Sequence, residues 1–504
     1  MQGNLTAFYI TSSLVILVML IGFLAGRNKS SRSSVEEWSL GGRKLGSLFV
    51  WFLIGADVYT AYTFLGLTSS AFKGGSIAFF ATPYVVLAYP IAYFFLPKLW
   101  KVGKAHSFTT LADYVKGRFE SKTLSVLVAI TGVFMLIPYI DLQLSGILDT
   151  IKVAGNGQIN VVLVVIVSFS LVALYTFFSG IKAPTYTAII KDILVWVIML
   201  YMVVTIPIIH FGSWGSMMDT AVAQSPQMLT IPSTGAKGIS WFSTASLVSA
   251  LALFMWPHTV TGIFSSKSAD SLRKNTIILP FYNIVLMLVT FLGITASLVV
   301  PKGTDPRFAF LTLIHQSYGG VMQGLAYSTI ALASLVPCSI MAIGASNLFA
   351  NNIYRDLIAP KASMKTLTGV TRYMVFLVIG LALIFGLMFP NALISLQLMG
   401  VSGIVQIFPA VVFSLFWRNL SKEAAISGLI AGMITVFLVY ANGQSYGVYE
   451  GFWGFLVNIM VLGLVNVIYV KKAKLRTNSV MNTIFESKGA AKLSDSTLES
   501  PKSA

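Results

Sequence analysis

Four ionisable side chains lie deep inside otherwise apolar stretches of this chain: Asp57, Asp141, Lys191 and Asp192. A charge at the centre of hydrocarbon costs about 2.5–3.5 kcal/mol on insertion scales, so each calls for a partner or a task. Asp57 sits in WFLIGADVYTAYTFLG, where Gly, Thr and Tyr crowd together. Helical hydrogen bonding is easily interrupted there, and irregular backbone at such depth survives only where protein or a cavity satisfies it. A second interruption is expected in LALFMWPHTVTGIFSSK, residues 251–267. Pro257 lacks a backbone donor and clashes one turn back, and His258, Thr259, Thr261 and Gly262 follow it. Both stretches read as broken helices whose freed amides and hydroxyls face a substrate cavity. Their structural rivals are an Asp satisfied by local hydroxyls and amides and a packed, hydrogen-bonded His. Lys191 and Asp192 are neighbours in sequence, so on a helix they point in different directions and are not expected simply to neutralise each other. Asp141 lies in LIPYIDLQLSG beside Gln143 and Ser145, where a packing role competes with a functional one.

The elements that carry these residues are membrane spans. Of 504 residues, 56% are hydrophobic and 10% charged, against roughly 25% charged in a soluble protein. A water-facing multidomain surface is excluded. Thirteen apolar runs are long enough to cross a bilayer: 5–26, 46–72, 75–98, 123–151, 158–179, 184–208, 241–263, 276–300, 320–350, 370–389, 392–417, 424–442 and 451–470. The first lacks a basic leader and a small-residue cleavage site, so it is expected to be retained. The net charge of +17 does not mark a nucleic-acid binder. Lys73, Lys152, Lys237, Lys302 and Arg307 fall on one side, and the rest of the 34 Lys and Arg fall in the alternate loops and the tail. That asymmetry predicts an N-terminus outside and a C-terminus inside. The single cysteine, Cys338, excludes an internal disulfide and a cysteine-based metal site. Residues 471–504 are basic and then rich in Ser, Lys and Ala, and are expected to form a solvated, unstructured tail. The loops 209–240 and 301–319 are candidates for gates or for simple connectors.

The two interruptions fall in the second and seventh spans, five helices apart. Five is odd, so the two broken helices run in opposite directions, as an inverted repeat of five helices each would give. Paired interruptions at matching positions of two halves point to a transport site near the midplane. The expected organisation is an extra span and loop (1–45), a first repeat (46–208), an external loop (209–240), a second repeat (241–417), two further spans (418–470) and the tail (471–504).

Several segments, in this order, resemble the sodium:solute symporters: EEWSLGGRKLGSLFVWF, FTTLADYVKGRF (108–119), YTFFSGIKAPTYTAIIKD (175–192), SNLFANNIYRDL (346–357) and GIVQIFPAVVFSLFW (403–417). The resemblance covers about residues 35 to 470. It implies an all-α membrane protein with a LeuT-like 5+5 inverted-repeat core. GADVYTAYTFLG, IPYIDLQLSG and MWPHTVTGIFSSKS look closest to the monocarboxylate permease branch, which moves lactate, pyruvate and propionate. The resemblance therefore implies a multi-pass carrier of a bacterial plasma membrane. Its partners would be a small organic anion and the lipid bilayer, with no nucleic acid, no obligatory protein partner and no cofactor. The substrate contacts it suggests are Tyr59, Thr60, Gln143, Trp256, His258 and Thr259, with the carboxylate near 55–63 and 256–262, where freed amides at half-helix N-termini favour an anion.

One departure concerns the coupling ion. Sodium-coupled relatives hold Na+ with two adjacent hydroxyl residues of the eighth core helix and carbonyls of the first. Counting back from Ile353 and Tyr354, those positions are Val336 and Pro337, which have no side-chain oxygen. Lys191 is expected to occupy or border the site in their place. H+ would then be coupled through Lys191, Asp57 or Asp141, with Asp192 beside them. The alternative is a Na+ site rebuilt from Ala56, Ser334 or Ser339. Other readings are a sodium-coupled symporter of an amino acid or vitamin, or a non-transporting sensor or channel. An intramembrane enzyme is disfavoured: only His106, His210, His258 and His315 exist, with no HExxH or GxSxG.

Overall fold

The computed structural model describes residues 5–26, 34–389, 393–443, 446–470 and 478–485. Its helices, in chain order, are α1 (Thr6–Gly26), α2 (Val35–Leu40), α3 (Ser47–Ala56), α4 (Thr68–Gly74), α5 (Ala81–Ala105), α6 (Leu111–Phe119), α7 (Lys122–Ala154) and α8 (Val161–Ser179). Then follow α9 (Lys182–Phe211), α10 (Trp214–Gln224), α11 (Ile239–Ala252), α12 (Pro257–Ser265), α13 (Ala269–Ile278), α14 (Asn283–Val299), α15 (Ala309–Ser317) and α16 (Gly320–Leu348). The last are α17 (Met364–Met388), α18 (Leu393–Ile404), α19 (Ser414–Phe416), α20 (Lys422–Asn442), α21 (Glu450–Val470) and α22 (Ser479–Phe485). Among the described residues there is no strand, only one parallel bridge, Leu45 to Ser266.

Among the described residues, eleven helical runs are long and apolar enough to cross a membrane, and α11 with α12, bent by 45°, makes a twelfth. The run 62–105 counts as one of the eleven, yet its 44 residues would stretch about 66 Å, twice a bilayer core. It folds back at Gly75, which has φ +59° and ψ −126°, a conformation open essentially to glycine. α3 is a shorter apolar helix preceding that run. Lipid-facing surfaces carry the exposed side chains, such as Phe94, Phe134, Tyr373 and Leu464. α16 is wrapped on all sides, with its apolar stretch fully buried.

One face of the bundle is tied together by polar contacts. Arg43 donates to Glu36 (2.7 Å) and to the Phe108 carbonyl (2.6 Å), and Lys116 pairs with Asp356 (2.6 Å). Arg118 donates to the carbonyls of Ser414, Trp417 and Arg418. The expected unstructured tail departs from expectation at 478–485. There α22 buries Val480, Met481 and Ile484, and Asn478 donates to the Gly117 and Arg118 carbonyls. A short amphipathic segment gains a helix from the surface it lies on, which composition alone does not reveal.

The fold-back at Gly75 is a tight backbone constraint on this topology, because an added Cβ would stand 2.1 Å from the Met228 carbonyl oxygen of the loop above it. Gly212 also has positive φ, +79°, but meets nothing within 4 Å. Gly75→Ala is expected to lower stability by several kcal/mol, combining roughly 1–3 kcal/mol of backbone strain with a clash of similar size. Gly212→Ala should cost about 1 kcal/mol. Thermal unfolding midpoints of the two variants in detergent check the difference.

Candidate solute site between two broken helices

The first break runs from Asp57 to Thr60. α3 ends at Ala56, and the chain resumes as a π-helical stretch, Tyr62–Leu67, leading into α4. The Gly- and Thr-rich sequence permits the break, and neighbouring side chains make good its backbone. Gln143 Oε1 accepts from the Ala61 amide (2.8 Å), and Thr63 Oγ1 donates to the Val58 carbonyl (2.6 Å). The Tyr62 amide donates to Thr60 Oγ1 (3.2 Å). Lys191 Nζ donates to the Ala56 and Tyr59 carbonyls, at 3.2 Å each.

The second break lies one turn earlier than the sequence suggests. The irregular residues are 253–256, and Pro257 begins α12 instead of ending a helix. Proline at the first helical position loses nothing, since its absent donor would be unpaired there anyway. Residues 258–262 are therefore helical. Trp256 takes the extended conformation at the helix entrance, without a side-chain cap.

Between the breaks is a cavity of about 40 Å³, lined among others by Asp57, Tyr139, Trp256, His258, Thr259 and Gln397. Five buried polar atoms on its wall have no hydrogen-bond partner: Asp57 Oδ1, Tyr62 Oη, His258 Nδ1, Thr259 Oγ1 and Gln397 Oε1. Thr259 is beside the Asp57 carboxylate, yet its hydroxyl is outside bonding geometry. Buried polar groups are nearly always paired, so such a cluster marks a place for a polar guest. Trp256 and His258 pack against Tyr139, with ring centroids 5.2 and 5.8 Å away.

The remaining expected residues are elsewhere. Gln143, Thr60 and Tyr59 serve the break itself and do not line the cavity. The Tyr59 hydroxyl donates to the Tyr282 carbonyl (2.9 Å). Lys191 and Asp192 lie beneath Asp57, both with fully buried side chains. Contrary to expectation they form an ion pair, with Nζ 2.8 Å from Oδ1. The lysine stem is long enough to turn back on its neighbour, which helical spacing of Cα atoms does not forbid. Asp192 Oδ2 also accepts from the Tyr282 hydroxyl (2.6 Å). Asp141 is apart from this group, buried on α7 against Gly386 of α17, where an added Cβ would meet Oδ1 at 2.0 Å.

The expected sodium ligands divide likewise. Val336 and Pro337 are buried on α16 without a side-chain oxygen to offer. Ser334 donates to the Ile330 carbonyl (2.9 Å) and stands near Ala61, both packed on Gly146. Ser339 is bonded to Thr176 of α8 (2.7 Å), away from the break. The Ala56 carbonyl is taken by Lys191. No group of three or more His, Cys, Asp or Glu could hold a metal among the described residues.

Of the five residues with an unpaired atom on the cavity wall, Gln397 and Tyr62 were not singled out from sequence. A lone amide in the apolar run LISLQLMG of α18 was the available signal for Gln397. For Tyr282, the partner of Asp192, the sequence carries no signal, because only the fold brings residues 192 and 282 together.

Residues 38–432 match the sodium:solute symporter family. The chain is 67% identical to the uncharacterized symporter YodF of Bacillus subtilis (strain 168), over 97% of this chain and 98% of that protein. It is 33% identical to a monocarboxylate transport permease protein of Rhizobium johnstonii, over 94% and 99%. Its fold is similar to that of a Na+-coupled sialic acid symporter solved in a substrate-bound outward-open state. There the TM-score is 0.79 with 16% identity, covering 94% of this chain and 99% of the other. With its apolar helices and these bacterial relatives, it is a multi-pass protein of the bacterial plasma membrane. By its sequence, the chain belongs to the sodium:solute symporter family.

Proposed function

We propose that this protein carries a short monocarboxylate across the plasma membrane by alternating access, in symport with a proton. The observation that carries the reading is the set of five unpaired polar atoms around the small cavity between the two breaks. About 40 Å³ of space corresponds to roughly three water-sized bodies. That suits a solute of a few heavy atoms and is too small for a sugar acid. The N-terminal end of α12 opens on the cavity wall through Trp256, His258 and Thr259, and a helix N-terminus favours an anion. The monocarboxylate permease among the relatives supports the same class.

In this reading the chain crosses the membrane thirteen times, with its N-terminus outside. α3 with 62–74 forms one broken span, α5 the next, and α11 with α12 its inverted counterpart. The tied face is then cytoplasmic, and one half of the repeat rocks against the other.

The coupling ion follows from charge. A substrate carboxylate and Asp57 sharing so small a space cannot both stay ionised, so one proton enters with the solute. The family and its sodium-coupled neighbour favour Na+, but the residues here do not fit one. The eighth-core-helix positions lack oxygen, and the Lys191 ammonium already engages the Ala56 carbonyl. Lys191 stands as a fixed cation in place of a mobile one.

In proteoliposomes, labelled propionate, pyruvate or lactate should accumulate under an imposed pH gradient, alkaline inside, and not under a Na+ gradient alone. Accumulation driven by Na+ alone would contradict the coupling, and no accumulation of any of the three would sink the substrate class. Asp57→Asn, which mimics the protonated acid, should keep solute exchange but lose accumulation driven by the pH gradient. Asp192→Asn strands a buried ammonium and should cost about 3–5 kcal/mol. The double variant Lys191→Met/Asp192→Asn removes the stranded charge but bares the Ala56 and Tyr59 carbonyls, so it should regain only part of that stability, as read by thermal unfolding in detergent.

A further inference from the structure

Above the solute cavity lies a larger one of about 590 Å³, on the face opposite the tied one. Phe80 and Leu398 line both cavities, so they are the partition between them. The wall of the upper cavity gathers cations from three separate segments: Lys73 at the end of α4, Lys237 before α11, and Arg307 before α15. Among the described residues this face carries two other Lys or Arg, Lys152 and Lys302, and neither lines the cavity. Arg307 is ion-paired with Asp149. Lys73 and Lys237 have no ion pair among the described residues, and Lys237 lies over the Trp241 ring, 5.5 Å from its centroid. The two ammonium groups feel each other. Surrounding atoms, and then the Lys73 charge, hold the Lys237 ammonium below its ordinary value, while Glu450 pulls the other way. Asp149 and Asp305 also line this wall, and Asp149 is held by Arg307. Lys73 and Lys237, with no ion pair of their own among the described residues, remain like charges facing one cavity, and an anion between them relieves both.

We infer that Lys73 and Lys237 form an outer carboxylate-binding station, at which a small monocarboxylate anion is held before it passes Phe80 and Leu398. The station rests on the proposed function for its substrate class, but its geometry is independent of the coupling ion. It explains how an anion is concentrated at a site that is itself closed and contains an acidic residue. The lysines gather the anion, and a proton is taken up only at the deeper site, where the solute carboxylate and Asp57 cannot both stay ionised. Screening by salt weakens exposed charges of this kind, so capture is expected to depend on ionic strength.

The test uses two double variants in proteoliposomes, with labelled propionate, pyruvate and lactate. Lys73→Gln/Lys237→Gln should raise KM about 5- to 10-fold, leave maximal rate within about twofold, and abolish the dependence of KM on salt. Lys152→Gln/Lys302→Gln, on the same face but off the cavity, should behave as wild type. An unchanged KM in the first variant, or an equal rise in the second, overturns the station. If the wild type transports none of the three acids, the substrate reading fails, and the station is judged by amine labelling. Trinitrobenzenesulfonate modification followed by mass spectrometry should show propionate protecting Lys73 and Lys237 but not Lys152 and Lys302. Equal modification with and without propionate would overturn it.

Discussion

Carbonyl oxygens cannot be left bare in hydrocarbon, and those freed by the break after α3 include Ala56 and Tyr59. Each unsatisfied backbone group there costs several kcal/mol. Lys191 donates to both, which brings a full charge into the interior. That charge requires Asp192, and Asp192 is held in turn by the Tyr282 hydroxyl. The circuit closes when Tyr59, whose ring lies 4.6 Å from that of Tyr282, donates to the Tyr282 carbonyl. Each member answers a need created by another, so α3, α9 and the chain entering α14 are locked around the break. A buried ion pair seldom adds net stability over an apolar substitute. Its value here is positional: it keeps the break open at one depth.

The second break needs no such circuit. Proline at the start of α12 and a close approach to Gly344 of α16, where an added Cβ would stand 2.8 Å from the His258 amide, fix it by shape. One broken helix is thus held by charge and the other by packing, and the cavity between them is lined from both. The contrast suits a carrier that must respond to an ion. An electrostatic lock can be weakened by one proton, whereas a packed junction cannot.

The sequence made the membrane legible because hydrophobic length is a one-dimensional property. It also located both breaks to within a turn, through Gly and Thr around Asp57 and Pro at 257. What it misplaced were consequences of side-chain reach and of long-range contact. Lys191 could fold back on Asp192 because its stem is flexible. Gln143 and Thr60 were legible as polar groups near the break, but whether they faced the solute or the backbone depended on rotation about their helices. The docking of 478–485 under α6 depended on a surface assembled from distant parts of the chain. That Val336 and Pro337 offer no side-chain oxygen was visible in the residues themselves, whereas the bond from Lys191 to the Ala56 carbonyl needed the fold.

The central claim is that the Lys191 ammonium stands where a sodium ion would otherwise bind. Equilibrium binding of radioactive sodium to the purified wild-type protein, with Lys191→Ala alongside, tests it most directly. No saturable Na+ binding to the wild type is the predicted result. Saturable binding to the wild type, unaffected by loss of the lysine, would contradict it.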